Sequence, residues 1–203
     1  MQIIIIFLTL SLSFFTAFEA VAAPEPAPDR QRGEGPYGRL ILRGVTVING
    51  EGAPPVGPVD IVIEDNRIAS IRNVGYPGLP IEDEGRPEAR QGDRVLDLEG
   101  HYVLPGFIDM HAHFGGDAQG VPAEYVAKLW LAHGVTTIRE AGSFNGLAWV
   151  KEHQQRSASN AIAAPRIVPY AGFGMGSVEP IITPEQARRW VKDIARQGAA
   201  GIK

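Results

Sequence analysis

Two histidines two residues apart, His111 and His113, close the run Val103-Leu104-Pro105-Gly106-Phe107-Ile108-Asp109-Met110-His111-Ala112-His113-Phe114. Side chains alternate across a strand. Phe107, Asp109, His111 and His113 therefore share one side, and Ile108, Met110 and Ala112 the other. Two neutral imidazoles side by side are a start on a zinc-type site. Asp109, one layer deeper, is placed to orient an imidazole. A bare His-x-His pair also arises by chance in a surface strand. The Pro-Gly lead-in, the hydrophobic strand and the acidic residue two before the first histidine make this pair more specific. Glu140 ends another strand at the same rim and is placed to support the ligands or to meet substrate. Arg139 fits a substrate carboxylate or a structural ion pair equally well. Three histidines read as ordinary: His101 near a turn, His133 in the last turn of a helix, and His153 on a helix surface. The glycines at 172, 174 and 176 lack the Lys-Ser/Thr of a phosphate loop.

The elements that must position these residues come in two rhythms. Residues 39–49, 59–64, 67–72, 94–98 and 101–104 are short β-type runs. Asp65-Asn66 between two of them reads as a tight hairpin turn. After Pro105 strands alternate with helices. Strands are predicted at 107–111, 135–139 and 166–170, and helices at 122–133 and 147–156. A third helix begins at Thr183, with Pro184 in its first turn and Gln186 completing a capping box. Its apolar positions are Ala187, Trp190, Val191 and Ile194, and Gly198 ends it. Gly201-Ile202-Lys203 opens a fourth strand. Such alternation predicts βα units on a parallel sheet. A full (β/α)8 barrel needs about 250 residues, so the predicted fold is α/β, a partial TIM-type barrel preceded by strands of a small β-sandwich domain.

Composition narrows the function classes. The chain has 203 residues, 44% apolar and 21% charged, the values of an ordinary globular protein. Nineteen basic against 23 acidic residues give a net charge of −4, with no Lys/Arg cluster to favour nucleic acid. Cysteine is absent, which excludes disulfides, thiolate metal sites and a Cys nucleophile. Residues 3–18 are almost wholly apolar but shorter than the roughly 20 residues of a membrane span. Ala20 and Ala22 follow in the arrangement a signal peptidase accepts. Residues 1–22 are therefore expected to be a signal peptide, cleaved after Ala22, leaving an exported chain with no stable membrane span. An uncleaved anchor is the alternative. Residues 23–38, rich in Pro, Gly and charge, read as a flexible leader. The β-sandwich strands occupy 39–104 and the barrel portion 105–203.

The run LPGFIDMHAHF resembles the first-strand signature of the amidohydrolase superfamily of metal-dependent hydrolases. The resemblance extends over most of residues 39–203. Residues 134–140 (GVTTIRE) resemble the second barrel strand, 164–168 the third, and 198–203 the approach to the fourth. The chain is most similar to the branch with imidazolonepropionase-like and Xaa-Pro dipeptidase-like enzymes, and corresponds to the N-terminal part only. The resemblance implies that His111 and His113 bind the more buried metal. It implies that Lys203, as a carbamate, bridges two metals where the chain continues; a solvated terminal lysine is the alternative. It also implies further histidines and a general-base Asp from strands beyond residue 203. The implied reaction is hydrolysis of an amide, peptide or cyclic-amide C–N bond by metal-activated water. The cofactor is a divalent metal, Zn2+ by default, with a binuclear centre in a full-length form and Mn2+, Fe2+ or Co2+ as other candidates. The substrate is a small molecule or short peptide, and a homo-oligomer is left open. The 203-residue chain alone is expected to be incomplete for catalysis. The other class of function is a non-catalytic exported remnant or binding module.

Overall fold

The computed structural model describes residues 36–203. The expected signal peptide (1–22) and nearly all of the expected leader (23–38) lie outside the described residues. Among the described residues no helix is long and apolar enough to cross a membrane.

The first five strands form one mixed sheet: β1 (Arg39–Val47), β2 (Val56–Glu64), β3 (Arg67–Asn73), β4 (Arg94–Asp97) and β5 (Tyr102–Val103). Its order is β3-β2-β1-β4, with β5 also paired to β1. The sequence predicts strands of a sandwich; among the described residues they make a single sheet. The Asp65-Asn66 turn joins β2 to β3 as expected, with Asp65 at a positive φ of 50°, a conformation Asp tolerates. Apolar alternation buries Val45, Val59 and Ile61 together. β3 lies at the edge and is exposed along its whole length.

After Pro105 the chain winds into a curled parallel sheet, the half-barrel that the alternating pattern predicts. Its strands are β6 (Phe107–Ala112), β7 (Val135–Ala141), β8 (Arg166–Ala171) and β9 (Gly201–Ile202), in that order. The helices are α1 (Ala123–Ala132), α2 (Leu147–Ala158) and α3 (Pro184–Arg196). The predicted capping box is present: the Thr183 hydroxyl accepts the Gln186 N–H at 3.2 Å, and the Gln186 side chain accepts the Thr183 N–H at 2.9 Å. Trp190 and Ile194 are buried as the helical pattern requires, against Ala171.

The main core joins Ala112, Phe114, Ala127, Ile138, Val150 and Ile167. Two departures from the sequence reading concern burial. His153, read as a surface residue, is buried, because Phe114 and Trp149 enclose it with ring centroids 5.4 and 4.0 Å away. Ile108 and Met110 are exposed rather than packed on helices. Among the described residues β6 pairs with β7 alone, and the apolar cluster takes in Ala112 but not these two.

Candidate functional site

The site forms where β6 ends. The His111 and His113 rings lie 5.6 Å apart, centroid to centroid, and are inclined by 70°. The two rings meet edge to face. Asp109 does not orient an imidazole among the described contacts. Its carboxylate accepts the backbone N–H of His111 at 2.8 Å and fixes the strand end instead.

Glu140, near the end of β7, is the buried charge of the site. It is fully buried. One oxygen lies 3.1 Å from His113 Nδ1, and the other accepts the Phe114 N–H at 2.5 Å. The parallel register pairs Glu140 with Ala112, which sets the carboxylate beside the His111-Ala112-His113 run. Burial pushes its pKa above the usual carboxylate range, while the Phe114 N–H, the His113 ring and the Lys203 charge pull it back. Glu140 thus touches both the His113 ring and the backbone of Phe114.

Lys203 is exposed, but β8 holds its backbone. Its N–H donates to the Ala171 carbonyl at 2.8 Å, and its own carbonyl accepts the Phe173 N–H at 3.1 Å. Its Nζ reaches 2.9 Å from His111 Nε2. An ammonium only donates, so the Nε2 lone pair of His111 faces Lys203.

Two further features support the rim. Asn145, in the loop after β7, donates to the Gly115 carbonyl at 2.8 Å and accepts the Ala118 N–H at 3.0 Å. It ties down the loop that follows His113. A Cβ on Gly116 would sit 2.7 Å from the Asn145 side chain, so this close approach requires glycine there. Sequence reasoning passed over Asn145, since a polar residue among loop glycines carries no periodic pattern. Arg139 forms no ion pair among the described residues; its guanidinium lies over the Tyr170 ring, 4.9 Å from the centroid. A cavity of about 360 Å3 opens between the loops after β7 and β8, beside Ser143, Phe144 and Met175. Asn145 lines it, whereas His111, His113, Glu140 and Lys203 do not.

Zn2+ and related transition ions take imidazole nitrogen donors of this kind. His111 and His113 fit two positions of its shell, with Lys203 beside the first. Among the described residues no group of three or more His, Cys, Asp or Glu side chains is assembled for a metal.

No family model matches the chain. It is 32% identical over 127 residues to an adenine deaminase of Bacillus subtilis (strain 168), covering 56% of this chain and 22% of that protein. It is 33% identical over 104 residues to a D-hydantoinase of Streptomyces coelicolor, covering 49% of this chain and 20% of that one. The match thus spans about a fifth of these relatives' length. Among solved structures, a putative prolidase from Bifidobacterium longum superposes with a TM-score of 0.59 at 26% identity, covering 81% of this chain and 40% of that chain. The relatives are hydrolases acting on C–N bonds. With the half-barrel and its strand-end histidines, these likenesses make the chain, over part of its length, a relative of the amidohydrolase superfamily.

Proposed function

We propose that this chain supplies the first half of the active site of a metal-dependent C–N bond hydrolase. One observation carries the reading: His111, His113 and Lys203, from the two edge strands of the parallel sheet, meet at its C-terminal end. In barrel enzymes that end carries the chemistry. His111 and His113 would hold a divalent ion through Nε2. Lys203, converted to a carbamate by carbon dioxide, would offer an anionic oxygen beside His111. A divalent ion held there acidifies water and polarises a scissile carbonyl. The residues of this chain bind and orient: Asp109 fixes the backbone of His111, and Asn145 fixes the loop after His113. Later barrel strands would supply the remaining ligands and the general base. The substrate class is an amide, peptide or cyclic amide of small size. Export through residues 1–22 belongs to the same proposal; the N-terminus of the secreted protein tests it.

The test uses the product of the complete reading frame. It is loaded with Zn2+ and offered Xaa-Pro dipeptides, hydantoin and adenine, with the double substitution His111→Asn, His113→Asn as control. Metal-dependent hydrolysis that disappears in the double variant is expected. Turnover that survives in the double variant, or an intact protein without a stoichiometric transition ion, would overturn the proposal.

A further inference from the structure

Glu140 is an expensive residue for a strand to bury. A carboxylate in an apolar layer beside Ala112, Ile138 and Phe114 costs stability, and an apolar side chain of like volume usually serves a core better. Both its oxygens are nevertheless committed, and both partners lie at the end of β6. One takes the Phe114 N–H, which can only donate. The other faces His113 Nδ1. With the carboxylate accepting at both oxygens, a neutral ring in this pose carries its proton on Nδ1. Its Nε2 is then bare.

We infer that Glu140 is the positioning residue for His113, fixing the Nδ1–H tautomer and the ring's pose so that an unprotonated Nε2 faces the mouth of the half-barrel. The inference rests on the reading of His113 as a ligand, and it goes further: it says why one ring is ready before any ion arrives. The two rings are prepared differently. The lone pair of His111 is met by Lys203, whereas that of His113 is set from behind. The Phe114 bond matters because it makes the arrangement directional. With one oxygen pinned by a backbone donor, the carboxylate cannot rotate away from the ring.

Glu140→Gln tests this sharply. Its single carbonyl oxygen must go to the Phe114 N–H, which leaves the amide NH2 facing His113. Nδ1 must then accept, and the proton moves to Nε2. Nitrogen-detected NMR of the full chain reads the His113 tautomer, and titration with Zn2+ reads affinity. Expected are Nδ1–H in the wild type, Nε2–H in Glu140→Gln, and a fall in Zn2+ affinity of about 10- to 100-fold. Glu140→Asp, still an acceptor, is expected to keep Nδ1–H and recover part of the affinity. A wild-type His113 protonated on Nε2 would overturn the inference without any variant. So would an inverted tautomer with unchanged affinity. If neither wild type nor His113→Asn binds Zn2+, the metal reading fails. The tautomer measured in the wild type then still decides whether Glu140 positions the ring.

Discussion

Lys203 Nζ lies 2.9 Å from His111 Nε2, although the two residues belong to opposite edges of a four-stranded sheet. In a flat sheet three strand spacings would hold β6 and β9 about 14 Å apart. The contact therefore measures curvature: the sheet bends until inward side chains from its two edges meet. That bend is what turns a row of parallel strands into a site.

Lys203→Met keeps the aliphatic stem and removes the nitrogen. Stability should change by no more than about 0.5 kcal/mol, because the side chain is exposed. Zn2+ binding by isothermal titration should weaken, and any enhancement of binding by added bicarbonate should vanish. A bicarbonate effect that persists in the variant would remove Lys203 from the site.

Gly201→Ala reaches the same site through the backbone. A Cβ there would lie 2.3 Å from a ring carbon of Tyr170, the residue paired with Gly201 across β8 and β9. Ring and strand cannot both stay. The expected cost is about 1–3 kcal/mol of stability in urea unfolding, together with loss of the Lys203–His111 contact. The double variant with Tyr170→Leu should recover most of the stability. Failure to recover it would place the strain elsewhere.

What could be read from the sequence was local. The Asp65-Asn66 hairpin and the Thr183 capping box each depend on residues within a few positions, and both stand as predicted. Burial that depends on distant neighbours was not legible. His153 sits in a helix of polar composition between Glu152 and Gln154, and Phe114, distant in sequence, joins Trp149 in enclosing it. Ile108 and Met110 look like core residues, but which layer covers an edge strand is set by elements far along the chain. That β8 holds the backbone of Lys203 was not legible either, because Ala171, which accepts its N–H, is more than 30 residues away in sequence.

The N-terminal sheet has its own anchor, invisible in the sequence for the same reason. Asp60, fully buried on β2, accepts the Gly44 N–H and takes Arg86 Nε and Nη2 in a two-pronged pair, each at 2.9 Å. This pins the long loop before β4 to the sheet. Arg86→Ala would leave a buried carboxylate with one donor. The expected loss is about 3 kcal/mol, the low end for a broken buried pair because Arg86 keeps some contact with water. Faster proteolysis within the loop should accompany it. Arg86→Lys should rescue little, since an ammonium cannot supply the two parallel bonds.

The same loop should unfasten in acid. The Asp93 carboxylate accepts the Arg90 N–H at 2.8 Å and pairs with Arg39 on β1. The Arg90 N–H foremost, and then Arg39, hold its pKa below the ordinary value of 3.8. The unfolded chain therefore takes up this proton at a higher pH than the folded one. The stabilisation is fully present above 3.8 and is lost as the pH falls through the lower folded value. Asp93→Asn should be less stable than wild type at neutral pH, and the two should converge at the acid end. Urea midpoints followed from about pH 6 down to about pH 2 test this. Profiles that run parallel over that range would show that Asp93 contributes nothing to the acid limb.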